Sequence, residues 1–201
     1  VKRGNIGGEQ KLWSVQNGSN FDMLALSSDQ LAFEVNTSSS STNRIDTTQV
    51  LKDTSQWYNF VAVWDADNGT GANRMILYVN GVQATLTTSN TPASTGQRSL
   101  TNNGSFVHFL GSKANDSQYF DGYLAETVLI NGLALSPSSF GQVDTSTGRW
   151  LESSVSGLTF GTNGFYLNFA NSSDVGNDVS GNNNDFTNNN TVVQSNDTPT
   201  A

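Results

Sequence analysis

A run of eight residues without Gly or Pro, Trp57 to Trp64 (WYNFVAVW), constrains this chain more than any other feature. Its aromatic and β-branched side chains alternate without a polar face, which predicts a strand buried on both sides. A second run, Arg74 to Gln83 (RMILYVNGVQ), passes through Asn80-Gly81. Both residues enter positive φ at low cost, so the pair predicts a two-residue type I′ hairpin turn. The polar stretch Asp65 to Asn73 between the runs is too short for a crossover helix, so the two strands are expected to be antiparallel. Trp57 or Tyr58, with Phe60, Val61, Val63, Trp64, Leu77 and Val79, is the expected core.

Composition extends the same reading to the whole chain. Asn, Ser, Thr and Gly make up 91 of 201 residues. These types disfavour helix interiors and favour turns, so many short strands joined by polar loops are expected. At this length one large sandwich is a better expectation than two small domains. A net charge of −8 argues against a nucleic-acid partner, because phosphate contacts need clustered Lys and Arg. No apolar run approaches the roughly 20 residues of a membrane span, so membrane insertion is not expected. The absence of cysteine excludes disulfides and thiolate metal sites.

Along the chain, residues 11–15, 21–26 and 30–35 read as a meander, with bends at Asn17-Gly18 and Ser28-Asp29. The tract from Asn36 to Asn43 reads as an exposed loop, Arg44 to Val50 as an edge strand, and Thr87 to Gly104 as a long surface excursion. Phe106 to Leu110, Phe120 to Ile130 and Gly164 to Ala170 are the later strands. Ser136-Pro137 places an N-cap Ser before Pro at the first helical position, the signature of one helical turn. Residues 1–170 are expected to be the sandwich and 171–201 a polar extension or linker. With no initiator Met and a linker-like end, the chain reads as a piece of a longer protein.

Trp57-Tyr58, Leu77 to Gly81, Leu110-Gly111, Phe120 to Glu126 and Asn131 to Ser136 occur in an order and spacing that resemble laminin-G-like domains of the concanavalin A-like lectin/glucanase jelly rolls. That resemblance implies an all-β antiparallel sandwich, a jelly roll of 10 to 14 strands with one or two short helical turns. Ser138 to Gln142, Gly148 to Trp150, Asn163 to Phe169 and Asp178 to Phe186 resemble modules in virion proteins of marine tailed bacteriophages. This narrower resemblance implies a tail-fibre-like appendage, located on the virion or extracellular. Its partners would be a cell-surface glycan, other virion proteins or copies of itself. A purely architectural module is the rival expectation.

Candidate sites follow from residue chemistry. Sugar sites combine aromatic stacking with directed hydrogen bonds, which singles out Asn115, Asp116 and Tyr119 on one loop and Trp150 elsewhere. Trp150 could equally pack under a loop. Asp174, Asp178, Asn182 and Asp185 put oxygen-bearing side chains on one Gly-containing loop, a possible calcium site or else a set of Asx turns. The Asp65-Asp67-Asn68 loop admits the same two readings. His108 is the only histidine and lies in an apolar strand, so no Ser-His-Asp or zinc constellation can form. Retaining glycosidases need two carboxylates about 5 Å apart. Glu9, Glu34, Glu126 and Glu152 are well separated along the chain, so catalysis is not expected.

Overall fold

A computed structural model describes residues 1–37, 41–91, 94–114, 118–189 and 191–199. The early strands are β1 (Lys2–Arg3), β2 (Glu9–Asn17), β3 (Asn20–Ser27), β4 (Gln30–Thr37) and β5 (Ser41–Val50). The middle of the chain gives β6 (Phe60–Trp64), β7 (Met75–Val79), β8 (Val82–Gln83), β9 (Leu86–Asn90) and β10 (Val107–Leu110). The last are β11 (Gly122–Tyr123), β12 (Thr127–Leu129), β13 (Gly141–Val143), β14 (Trp150–Glu152) and β15 (Phe165–Leu167). All pairings are antiparallel. No helix among the described residues is long and apolar enough to cross a membrane.

A six-stranded sheet, in the order β10-β2-β3-β4-β5-β9, faces the three-stranded sheet β6-β7-β8. The pleat sends Leu24, Phe33 and Ile45, which are register partners, toward the core. They meet Tyr58, Met75, Leu77 and Val79 of the opposite layer. On the other face of the six-stranded sheet, Ala25, Ala32 and Asp46 form one rung, and Met23, Glu34 and Arg44 the next. Long charged side chains cover the small ones there and pair among themselves. Arg44 donates to both carboxylate oxygens of Asp46, at 2.7 to 3.1 Å, and to Glu34 at 3.3 Å. Lys11 is 1% exposed and donates to Glu9, so its buried charge is not left alone.

Local turn chemistry behaves as the sequence predicts. Asn80 and Gly81 have φ of 50° and 78° and join register partners Val79 and Val82. Ser28 and Asp29, at φ 51° and 64°, turn β3 into β4. At the previous bend the loop is Gly18-Ser19, one residue later than expected, because Asn17 still pairs with Asn20. At Gly81 a side chain would meet both positive φ and a ring: an added Cβ would lie 2.5 Å from Trp150 Cζ3. Gly81→Val is therefore expected to destabilise by at least about 1–3 kcal/mol, the cost of forcing a β-branched residue into that region. Thermal unfolding checks this, and an unchanged melting temperature would contradict the placement.

Tertiary pairing departs from the local reading in several places. Arg44 to Val50 is not an edge: β5 lies between β4 and β9, and β9, inside the expected surface excursion, takes the edge. The Asn36 to Asn43 loop is shorter than expected, because β4 runs to Thr37 and β5 starts at Ser41. Phe120 to Ile130 is broken into β11 and β12, with Glu126 at φ 51°. The described residues hold fifteen strands and three short 3-10 turns, more of each than expected. The turn at Pro137–Ser139 is present, but Ser136 makes no side-chain cap bond. The core expectation is corrected for β6. Tyr58, Val63, Leu77 and Val79 are buried, whereas Trp57, Phe60, Val61 and Trp64 are only half-buried. The reason is that β6 ends its sheet, so no hydrogen-bonded neighbour covers its free side.

Candidate functional site

A groove of about 1020 Å³ opens beside β10, β11 and β15. One wall is β10 and the chain around Tyr119 to Tyr123, the second runs from Asn163 to Phe169, and the third is formed by residues 184–189 and 192–198. Tyr119 and Tyr123 are 50% and 41% exposed on the first wall. Asn163, Asn168, Asn184 and Gln194 line the same space, each with one end of its amide bonded within the chain: the Asn163, Asn184 and Gln194 nitrogens donate to backbone carbonyls, and Asn168 Oδ1 accepts from Ala170 N. Flat rings beside amide donors and acceptors can stack on a sugar face while bonding its hydroxyls.

The third wall has no regular secondary structure and is tied down by side chains. Asp197 accepts hydrogen bonds from Lys2 Nζ at 2.5 Å and from Trp57 Nε1 at 3.0 Å. The Lys2 ammonium, then the Trp57 indole, hold the Asp197 carboxyl below the usual range. Gln194 Nε2 donates to Phe169 O at 2.6 Å, and Arg149 Nη2 to Pro199 O at 3.0 Å. Trp57 also packs against Tyr123, with ring centroids 6.3 Å apart, so one indole joins the wall to the sheet.

His108 lines the inner side of the groove. Its Nδ1 accepts from Trp13 Nε1 at 3.3 Å, and its ring meets Trp13 and Phe165 edge-on. Burial among these rings pushes the imidazole down to about 4. It therefore stays neutral through the physiological range.

Of the residues singled out as sugar contacts, Tyr119 lies on the groove wall. Asn115 and Asp116 lie outside the described residues. Trp150 is elsewhere, half-buried between Gly81 and Gly141, where an added Cβ at either glycine would lie 2.5 to 2.6 Å from its ring. Sequence reasoning missed Trp57, Tyr123 and Asn163. Tyr123 and Trp57 read as strand and core residues, and only the short, interrupted strand at Gly122–Tyr123 leaves Tyr123 outward. The available signal was the glycine beside it, which interrupts a strand pattern.

The proposed calcium loop is filled by its own hydrogen bonds. Asp178 Oδ1 accepts from the N–H groups of Tyr166 at 2.8 Å and Ser180 at 2.9 Å. Its Oδ2 accepts from Ser180 Oγ at 2.8 Å and Asn184 N at 2.9 Å. Burial pushes the Asp178 carboxyl up, and these donated bonds outweigh it, leaving the group below its usual range. Asp185 Oδ1 caps Asp178 N at 2.8 Å, and Asn182 Nδ2 binds Gly161 O and Gly164 O at 2.6 and 2.9 Å. Asp174 is exposed, and its backbone carbonyl accepts from Asn177 N. Among the described residues no three His, Cys, Asp or Glu side chains gather as a metal group, at this loop or at Asp65. At the Asp65 loop, Asn68 Nδ2 donates to Asp65 Oδ2 at 3.0 Å, again an Asx arrangement. With both oxygens of Asp178 taken by donors, the loop around it does not fit the six to eight free oxygens that calcium takes. Millimolar calcium is expected to leave the melting temperature unchanged, and a calcium-dependent rise would return Asp178 to the role of ligand.

A second space of about 450 Å³ lies between the two main sheets. The half-buried residues of β6 line it, facing the chain from Leu124 to Leu135 across the gap. Glu126 and Glu152, far apart in sequence, both border it. Tyr166 donates its hydroxyl to Glu126 Oε2. Burial, then Glu126 and the nearby Glu152, holds the Tyr166 phenol above its ordinary value.

Comparison with known proteins agrees with this architecture. The family described as the Concanavalin A-like lectin/glucanases superfamily matches residues 1–139. No curated protein and no solved structure matches the chain. The matched span runs from β1 through the six-stranded sheet, the Asn80-Gly81 hairpin and the groove wall to the 3-10 turn at Pro137–Ser139. With that match over most of its length, and with its antiparallel sandwich, the chain belongs to the concanavalin A-like lectin/glucanase superfamily.

Proposed function

We propose that the chain is a non-enzymatic glycan-recognition module whose ligand lies in the groove beside Tyr119 and Tyr123. The observation that carries this reading is the groove itself: two exposed tyrosines share its lining with several asparagines in a carbohydrate-binding fold family. The setting we propose is a virion appendage that touches the host surface. Support for it is the resemblance of residues 138–186 to phage virion modules. Copies of this chain, or other virion proteins, would hold several grooves together, and effective concentration would make weak single sites sufficient.

The test is binding of a multivalent form to a panel of bacterial surface polysaccharides. Tyr119→Ala is expected to weaken binding at least tenfold while leaving the melting temperature within about 1 °C, because its ring is half exposed. Loss of a stacking ring is worth about 1–3 kcal/mol in comparable aromatic platforms. Trp150→Ala is expected to act differently, lowering stability through the Gly81 and Gly141 contacts. If no glycan binds, the exposed Val107, Val192 and Val193 favour the architectural role.

A hydrolytic reading has one specific observation behind it, the approach of Glu126 and Glu152 to the same cavity and the same tyrosine. Paired carboxylates are what glycoside hydrolysis requires. The two readings separate cleanly: Glu126→Gln with Glu152→Gln should leave glycan binding intact under ours. Release of reducing ends by the parent, abolished in that double variant, would replace it.

A further inference from the structure

The cavity between the sheets carries an inference independent of the groove. We infer that it is a second binding site, for a compact, apolar small molecule that carries no negative charge. The walls come from both layers: Leu24, Phe33 and Val35 on one side, Phe60, Ala62 and Trp64 on the other. Its volume of about 450 Å³ lies within the range of small-molecule sites. An apolar cavity a third of that size already accepts benzene.

Two observations define the occupant. The first is the state of β6, whose Phe60, Ala62 and Trp64 pack against the core cluster yet stay half-buried. They line this space at the free edge of their sheet, and burying their uncovered surface in an apolar ligand is favourable. The second is charge. Asp65, Asp67, Glu126 and Glu152 border the cavity against the single guanidinium of Arg98, itself 3.6 Å from Asp67. That excess of carboxylates disfavours an anion.

Leu110, Leu124, Ala125 and Phe165 line both the cavity and the groove and lie between them. Tyr119 borders only the groove and Ala62 only the cavity, so either site can fail alone.

N-Phenyl-1-naphthylamine, a neutral apolar amine with one N–H, is the probe. Titrated into the parent protein it should give saturable, blue-shifted emission with one site per chain and raise the melting temperature. Its anionic relative 8-anilinonaphthalene-1-sulfonate should bind at least several-fold more weakly. Ala62→Phe, which fills the space, should abolish binding of the neutral probe, whereas Tyr119→Ala should leave it unchanged. Non-saturable emission, equal affinity for the anion, or full binding by the Ala62→Phe protein would overturn the proposal. The two probes on the unaltered protein decide the matter even if a variant fails to fold.

Discussion

Arg3→Met is expected to destabilise the protein by about 3–5 kcal/mol at pH 7, the usual cost of removing one member of a buried ion pair. Arg3 is 1% exposed; its Nη2 donates to Asp29 Oδ1 at 2.8 Å and its Nη1 to Leu51 O. Asp29 sits in the β3–β4 turn and also accepts from Gly7 N at 2.6 Å. The Gly7 N–H, then Arg3 working against burial, holds its carboxyl below the ordinary 3.8. Without Arg3 the carboxylate keeps Gly7 and an exposed Lys52 at 3.8 Å. A carboxylate with a depressed folded pKa stabilises above its unfolded pKa and loses that contribution as pH falls through the folded one. The gap between parent and variant should therefore be full above about pH 5 and narrow below about pH 4. Urea unfolding at several pH values reads it directly. A variant within 1 kcal/mol of the parent at pH 7 would contradict the pairing, and Asp29→Asn added to Arg3→Met should recover part of the loss.

Phe165→Ala is expected to cost about 3–5 kcal/mol, as for other fully buried aromatic rings. Phe165 is 3% exposed and packs edge-on against Phe186, with centroids 4.9 Å apart, and against His108 at 6.2 Å. Phe186 in turn is fixed by its backbone bond to Gly176, where an added Cβ would lie 1.8 Å from Phe186 O. This ring packs the segment from Gly176 to Phe186 onto β15, alongside the backbone and Asp178 bonds to Tyr166, and lies between the groove and the cavity. The variant should lose hydrogen-exchange protection at residues 176–186 together with global stability. Retained protection there would show that the Asx frame around Asp178, not the ring, anchors the segment.

What the sequence made legible was local. Asn80-Gly81 declares its turn because positive φ at two consecutive positions is a property of those two residues. The meander from Glu9 to Val35 is legible for the same reason, through alternation broken by Gly18 and Ser28-Asp29. Edge and interior were not legible: β5 and β9 differ in which neighbours reach them, and no residue within Arg44 to Val50 encodes that. Buried charge was hidden too. Asp22 lies between Phe21 and Met23 with nothing to mark it, yet it is fully buried and accepts from Asn36 N, Thr101 N and Thr101 Oγ1. Its partner Thr101 is 79 residues away. The candidate site divides along the same line. Tyr119 was recognisable as an aromatic on a polar loop, whereas Trp57 and Tyr123 join it only through packing. Trp150 shows the converse, an aromatic in a polar setting whose ring is taken up by two glycines.

The most direct test is chemical-shift mapping of the isotope-labelled protein with the glycan that binds best. The largest changes should fall on the Trp57 indole N–H, Tyr119, Tyr123 and Asn163, with the resonances of Ala25, Ala32 and Arg44 on the outer sheet face unmoved. Shifts centred on that face, or on Glu126 and Glu152 at the cavity, would contradict the assignment of the groove as the recognition site.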